Sequence, residues 1–288
     1  MNSPWLPWVE EDRRCLVMGI VNRTPDSFYD GGRMDLEASV DFALGLVAQG
    51  ADILDLGAVK AGPGPPVSES EELERLLPLV ESLSAATDVP LSIETASVTV
   101  ADAALAAGAS ILNEVTGLRA EEAQGLMDAC ARVGAGAIVM HSGGQVRGRP
   151  RVPLYEDVVL EVKQALAEMA GAARAAGVPA ENIVVDPGLD FGKTTFHSLQ
   201  LMRRLEEITS GPYPVLVAPS RKDIVGETLD LPPLKRLEGT LALVALSVAK
   251  GARLVRVHDV EASVRVVRMV EAVLGRRSPL APLRGLWE

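Results

Sequence analysis

The sequence predicts a (β/α)8 barrel of the TIM type, because of its length, its alternation of strand and helix patterns, and the even spacing of these units. The chain has 288 residues, of which 48 % are hydrophobic, so it can bury a full core and is not expected to be disordered. Eight short apolar runs alternate with longer amphipathic segments, and no change in composition divides them. We therefore assign residues 1–288 to one domain, with the barrel core at about 16–275.

The eight apolar runs have the character of strands in a parallel sheet that is covered on both faces. The segments between them carry apolar residues at helical spacing. Leu73 and Leu76 belong to one such stripe, and Ser68 with Glu71 forms a capping box where that helix begins. A doubly wound sheet also fits, but the even spacing favours a closed barrel. The predicted strands are Leu16–Asn22, Ile53–Gly57, Leu91–Glu94, Ser110–Asn113, Ala137–His141, Ile183–Asp186, Val215–Pro219 and Leu254–His258.

Most of the predicted strands end in polar residues, and this feature points to a site. In a (β/α)8 barrel the carboxyl ends of all strands meet at one rim, where active sites lie. A rim with a purely structural role would not need amides, carboxylates and cations at the ends of nearly every strand. The residues at these ends are Asn22, Asp55, Glu94, Asn113, His141, Asp186, Arg221 with Lys222, and Arg256 with His258.

The composition of the chain limits the classes of partner and the cellular location that we expect. A net charge of −11 without a run of basic residues argues against nucleic acid as the main partner. No apolar run approaches the ~20 residues that cross a bilayer, and the N-terminus lacks the pattern of a signal peptide, so we expect a cytoplasmic protein with no membrane partner. Cys15 and Cys130 lie far apart in apolar surroundings, which favours two buried thiols over a disulfide or a metal site.

Two motifs after predicted strands carry candidate ligands for a substrate. The segment Asn22–Phe28 leads into a polar loop that can act as a lid, and the oxygen of Asn22 suits a hard cation; a tight turn capped by Asp26 is the alternative. Asp186 precedes Pro187 and Gly188, and its carboxylate can accept two parallel hydrogen bonds from an amidine-like ring edge. A solvated turn aspartate fits that second segment equally well.

Two further segments, Ser220–Lys222 and Arg256–Asp259, place positive charge after strands seven and eight. The loops at these positions often form phosphate sites in barrels. Arginine offers phosphate a planar fork and lysine a point charge, so we expect a cationic corner that binds a diphosphate. In that interpretation His258 acts with Arg256 on the diphosphate and is not a general base. A surface network of salt bridges is the alternative.

Together these motifs resemble the dihydropteroate synthase family of the pterin-binding barrel superfamily. The resemblance covers roughly residues 17–260 and keeps the order of the motifs from Asn22–Phe28 through Asp186–Thr194 to Arg256–Val260. It implies a homodimeric (β/α)8 barrel with Mg2+ as cofactor and small-molecule substrates. The implied reaction joins 6-hydroxymethyl-7,8-dihydropterin diphosphate to 4-aminobenzoate in folate biosynthesis. Diphosphate leaves first, and the arylamine then traps the pterin-methyl cation.

The resemblance also implies a role for each matching residue. The candidate catalytic residues are Lys222, Asp186 and Asn22, of which Asn22 is also the candidate metal ligand. The expected diphosphate-binding residues are Asn22, Arg256 and His258. The expected pterin-binding residues are Glu94, Asn113, Met140, Asp186 and Lys222. The expected acceptor pocket comprises Phe191, Ser220 and Arg221, and the expected lid loops contain Asp26, Ser27, Phe28, Lys60 and Gly62.

The sequence departs from the family pattern near the lid and the acceptor pocket. Where the family has Gly-Gly-Glu-Ser-Thr-Arg-Pro-Gly, residues 57–64 read Gly-Ala-Val-Lys-Ala-Gly-Pro-Gly, and the family's strand-three Asp is Glu94. In these features the chain resembles a second, divergent paralogue group found in actinobacteria. The alternative function is therefore a paralogue that binds pterin but uses another acceptor or has no synthase activity. A folate-dependent methyltransferase ranks last, because such enzymes normally lack the Arg256–His258 corner.

Overall fold

Eight strands alternate with helices in the computed structural model, which describes residues 14–23, 35–59, 67–117, 123–143 and 154–281. The strands are β1 (Leu16–Asn22), β2 (Ile53–Gly57), β3 (Leu91–Glu94), β4 (Ile111–Glu114), β5 (Gly136–Met140), β6 (Ile183–Asp186), β7 (Leu216–Val217) and β8 (Leu254–Val257). The helices are α1 (Leu36–Ala48), α2 (Glu69–Ala86), α3 (Val98–Ala106), α4 (Ala123–Val133), α5 (Val158–Ala175), α6 (Thr195–Arg203), α7 (Glu206–Thr209), α8 (Asp223–Leu229), α9 (Leu237–Ala249) and α10 (Val260–Val273).

The strands form one parallel sheet that closes on itself. Neighbours in the sheet follow the order β6-β5-β4-β3-β2-β1-β8-β7, and a parallel bridge between Val185 and Val215 joins the two ends. Every residue of β2 and of β5 is buried, as expected for a parallel sheet covered on both faces. The predicted (β/α)8 barrel is confirmed, and the doubly wound alternative is wrong.

Apolar side chains fill both sides of the sheet. The larger cluster packs strand residues such as Leu54 against helix residues such as Leu76 and Leu79. A separate inner cluster consists of Leu16, Met18, Ile53, Ile111, Ile138, Val184, Leu216, Ala218 and Leu254. Because side chains alternate between the faces of a strand, the residues two positions beyond several inner ones also face the barrel interior. This register carries Asp55, Asn113, Asp186 and Arg256 to the inside of the carboxyl-terminal end.

The predicted bounds match the structure for β1, β2, β3 and β6 and need correction for the other four strands. Strand β4 begins and ends one residue later than predicted, and β5 begins and ends one residue earlier. Strand β7 keeps two of its five predicted residues, because only Leu216 and Val217 pair with β8. Strand β8 ends before His258, whose backbone N–H bonds the Ser220 hydroxyl.

Local predictions on caps and cysteines have mixed outcomes. Ser68 Oγ accepts from the backbone N–H of Glu71 at 3.3 Å, as a cap of α2 should, whereas the Glu71 carboxylate pairs with Arg75. Cys15 and Cys130 are both buried and free, as predicted, and burial raises the pKa of the Cys130 thiol to about 12. None of the helices in the described parts of the chain has the length and apolar character needed to cross a bilayer.

Candidate active site at the carboxyl-terminal rim

A buried hydrogen-bond network lies inside the carboxyl-terminal end of the barrel and centres on Asp55 of β2. Its carboxylate accepts from Ser92 Oγ at 2.6 Å and from Asn113 Nδ2 at 3.3 and 3.4 Å. Arg256 donates from Nε to the same carboxylate at 2.5 Å. Because β1 separates β8 from β2 in the sheet, the contact with Arg256 runs across the interior. Asn113 and Arg256, predicted from two distant motifs, thus meet at one carboxylate.

Glu94 shares the guanidinium of Arg256 with Asp55. Nη2 of Arg256 donates to Glu94 Oε2 at 2.7 Å. The side chain of Asp55 is 0 % exposed, that of Glu94 11 % and that of Arg256 17 %, so water screens these charges weakly. Burial raises the pKa of Glu94, and Arg256 opposes that shift. Burial alone would lower the pKa of Arg256, but Asp55 and Glu94 raise it above its ordinary value, so the guanidinium stays charged.

Lys222 lies beside Asp186 and Phe191 at the ends of β7 and β6. Its Nζ donates to the backbone oxygen of Leu189 at 2.9 Å and lies 4.8 Å from the centre of the Phe191 ring. Asp186 accepts from the backbone N–H of Gly188 at 2.7 Å. Burial raises the pKa of Asp186 and lowers that of Lys222, and the attraction between the two groups partly offsets both shifts. The structure therefore brings together the carboxylate of Asp186, the ammonium of Lys222 and the aromatic ring of Phe191.

Lys193 is a buried residue for which the sequence predicted no role. Its Nζ donates to the backbone oxygens of His141, Gly188 and Phe191 at 3.0, 3.0 and 2.8 Å, and it lies 2.8 Å from His141 Nδ1. Burial lowers the pKa of Lys193 to about 7. The lysine therefore ties the end of β5 to the loop that carries Asp186 and Phe191. Its burial could have been inferred from its position in a loop of glycine and apolar residues.

The predicted cationic corner assembles, but its charges are largely compensated. Ser220 Oγ lies 2.9 Å from His258 Nδ1. Burial, followed by the charges of Arg256 and Arg221, lowers the pKa of His258 to about 4, so the imidazole is neutral near pH 7. Arg221 donates to both carboxylate oxygens of Asp259, at 2.9 and 2.7 Å. Acidic neighbours therefore bind both arginines of the corner, Asp259 on Arg221 and Asp55 with Glu94 on Arg256.

The remaining predicted residues lie around this network or outside the described chain. Asn22 is exposed at the end of β1, and Met140 is buried at the end of β5, in register with Asp186.

No group of three or more His, Cys, Asp or Glu side chains within the described ranges could hold a metal ion. An exposed amide oxygen such as that of Asn22 fits Mg2+ that keeps waters and substrate phosphates as its other ligands. The lid residues Asp26, Ser27, Phe28, Lys60 and Gly62 lie outside the described residues.

Comparison with known proteins decides the family. A model described as pterin binding enzyme matches residues 18–258. The chain belongs to the pterin-binding enzyme family. This pterin-binding enzyme is 45 % identical to inactive dihydropteroate synthase 2 of Mycobacterium leprae over 280 residues, which cover 95 % of each chain. It is 40 % identical to dihydropteroate synthase of Bacillus subtilis over 265 residues, 91 % of this chain and 90 % of that one.

A solved structure agrees with both sequence relatives. Dihydropteroate synthase of Xanthomonas albilineans, determined with 4-aminobenzoic acid, has a TM-score of 0.83 and 40 % identity, and the match covers 93 % of this chain and 94 % of that one. The resemblance to the dihydropteroate synthase family is thereby confirmed. The pterin-binding enzyme is similar both to synthases and to relatives named inactive, so its own residues must decide between the two.

Proposed function

We propose that this pterin-binding enzyme is a dihydropteroate synthase-type transferase, which joins 6-hydroxymethyl-7,8-dihydropterin diphosphate to 4-aminobenzoate and releases diphosphate. The observation that carries the proposal is the convergence of Asn113, Asp186, Lys222 and Arg256 at one rim. A flat heterocycle with an amidine edge needs paired acceptors such as a carboxylate. A leaving diphosphate needs preorganised cations. The carboxyl-terminal rim supplies both the acceptors for the heterocycle and the cations for the diphosphate.

The proposed reaction assigns the reacting groups as follows. Asp186 accepts the N–H pair of the pterin ring, Asn113 binds its other edge, and buried Met140 packs beside it. The bond between the pterin methylene carbon and the diphosphate oxygen breaks, and the electron pair leaves with the diphosphate. The amine lone pair of the acceptor then bonds to that carbon, and the ammonium proton passes to solvent. Nearby carboxylates stabilise the positive charge that develops on the pterin.

Residues at the entrance would bind the diphosphate and the acceptor. Asn22, Arg256 and His258 would hold the diphosphate, and bound Mg2+ would offset part of its negative charge. Neutral His258 can donate one ring N–H to a phosphate oxygen without adding charge. Phe191, Ser220 and Arg221 would form the acceptor pocket, with Arg221 kept in place by Asp259.

A second function is favoured by specific observations. The relative from Mycobacterium leprae is named inactive, Val59 stands where the family has Glu, and Glu94 holds Arg256 at 2.7 Å. A protein with these features could bind pterin yet use another acceptor or make no dihydropteroate. This alternative keeps the pterin site but changes the acceptor or removes the synthase activity.

The deciding experiment measures binding and product formation separately. Pterin diphosphate is titrated into the purified protein with Mg2+ by calorimetry, and dihydropteroate and diphosphate are then quantified with and without 4-aminobenzoate. Product that depends on 4-aminobenzoate supports the transferase. Binding without dihydropteroate supports the alternative, and a screen of other arylamines then tests a different acceptor. Absence of both binding and diphosphate release contradicts both functions.

We also propose that the protein is a homodimer. Four apolar side chains on or directly after the last two helices are 42–72 % exposed, and they are Leu246, Met269, Val273 and Leu274. Met269 and Val273 lie four positions apart on one helix, and exposed apolar groups that share a face mark interaction surfaces. A cytoplasmic location and the absence of nucleic-acid and membrane partners stay predictions.

A further inference from the structure

Arg256 already forms ion pairs with two carboxylates. Nε binds Asp55 at 2.5 Å and Nη2 binds Glu94 at 2.7 Å. One guanidinium therefore faces two carboxylates, and when both are ionised the trio has a net negative charge. A phosphate group approaching Arg256 would meet competition from these anions. Electrostatic repulsion of this kind lowers affinity for a charged ligand.

The two carboxylates are not held equally. Asp55 is fully buried and also accepts hydrogen bonds from Ser92 and Asn113. Glu94 is the last residue of β3 and retains some exposure. Its pKa is raised by burial, which means that its ionised form is held less favourably than a solvated carboxylate. Of the two, Glu94 is the carboxylate that can release Arg256 at lower cost.

We propose that Glu94 is a positioning residue that pairs with Nη2 of Arg256, so that a diphosphate competes with the Glu94 carboxylate for the guanidinium. The inference rests on the proposed function, because it takes a pterin diphosphate as the anionic ligand. It makes Glu94 a determinant of how strongly the site binds the diphosphate portion of that ligand. Asp55 keeps its contact with Nε and orients the released guanidinium.

The test is a calorimetric titration of inorganic diphosphate, with Mg2+ present, into the wild type and Glu94→Gln. Removal of the competing charge should increase the affinity about tenfold. The matched control is Glu69→Gln, which removes the same charge from a carboxylate that bonds Ser97 at 2.6 Å instead of Arg256. That variant should stay within about twofold of the wild type. An equal gain in both variants, or no gain in Glu94→Gln, would overturn the inference.

A double-mutant cycle tests whether the effect passes through Arg256. In an Arg256→Gln background, Glu94→Gln should give no gain in diphosphate affinity, and undetectable binding in both forms agrees with this expectation. A gain that persists there overturns the inference. If circular dichroism shows that Glu94→Gln does not fold, Glu94→Ala replaces it with the same expected gain, because alanine also removes the competing carboxylate.

Dihydropteroate formation by the wild type is recorded alongside the titrations, so that the two proposals can fail separately. Product formation without a gain in Glu94→Gln overturns only the role of Glu94. A gain in affinity in a protein that forms no product supports that role and contradicts only the transferase.

Discussion

Single buried charges at the rim control both the proposed chemistry and part of the stability. Lys222 Nζ donates a hydrogen bond to the backbone oxygen of Leu189 and faces the ring of Phe191. It lies in the loop after β7, outside both apolar clusters of the barrel. A charged group in this position is suited to contact a ligand more than to support the core.

We predict that Lys222→Ala lowers the rate of diphosphate release at least about 100-fold while the barrel stays folded. The rate is measured with a coupled assay and the unfolding midpoint by circular dichroism. Lys235→Ala is the matched control, because Lys235 is exposed in a short turn outside the rim network. An unfolded Lys222→Ala protein would show that Lys222 is structural, and a normal rate would remove it from the site.

Lys193 gives a prediction about stability and pH. Its pKa is lowered by burial from the ordinary 10.5 to about 7, so between these values the unfolded chain binds a proton that the folded chain releases. The free energy of unfolding should therefore rise with pH over this window and lose this contribution as the pH falls to about 7. In Lys193→Met the rise should be smaller. Urea unfolding of both proteins between about pH 7 and 9 checks this, and parallel profiles would contradict it.

At the scale of elements, the connection after β6 depends on close backbone approach. Gly188 has a φ of +64°, and a Cβ there would lie 2.2 Å from the backbone oxygen of His141. Its N–H also bonds the carboxylate of Asp186. Only glycine fits these constraints, so the path of the chain from β6 fixes both Asp186 and the loop above it.

Gly188→Ala should therefore destabilise the fold by at least about 2 kcal/mol and abolish pterin binding. The control is Gly171→Ala in the middle of α5, where a Cβ meets nothing within 4 Å and alanine should stabilise the helix by up to about 1 kcal/mol. Chemical denaturation measures both changes. Equal stability of the two variants would show that the β6 loop adapts at low cost.

The common location of the site residues could be predicted from the sequence, whereas the ends of several strands could not. The polar residues at the ends of the predicted strands, together with the shared direction of parallel strands, were enough to place Asp55, Asn113, Asp186 and Arg256 at one rim. Strand ends were less predictable; for example, the backbone N–H of His258, directly after β8, bonds the side chain of Ser220 and not a neighbouring strand.

Side-chain contacts across the barrel could not be predicted from the sequence. Arg256 and Glu94 are 162 residues apart and lie on strands separated by two others, so no local pattern relates them. The same holds for Lys193, whose partner His141 belongs to a different strand end. Such contacts follow from distances across the closed barrel, which the periodicity of a single strand does not encode.

At the scale of the whole molecule, the outer surface of the last two helices carries exposed apolar side chains. Met269 and Val273 of α10 are 63 and 72 % exposed, and Leu246 of the neighbouring α9 is 47 % exposed. Met269 and Val273 are four positions apart, so both lie on one face of the helix. A second copy of the chain that buries this face would remove these groups from water.

We predict that the wild type sediments as a dimer at micromolar concentration and that Met269→Glu combined with Val273→Glu shifts it to monomer, because unpaired charges in an apolar interface cost several kcal/mol. Analytical ultracentrifugation measures the mass, and circular dichroism confirms that the barrel is retained. Leu160→Glu is the control, since Leu160 is 61 % exposed on α5, and it should leave the dimer intact. A monomeric wild type, or a dimer that survives both charges on α10, would place the self-association surface elsewhere or remove it.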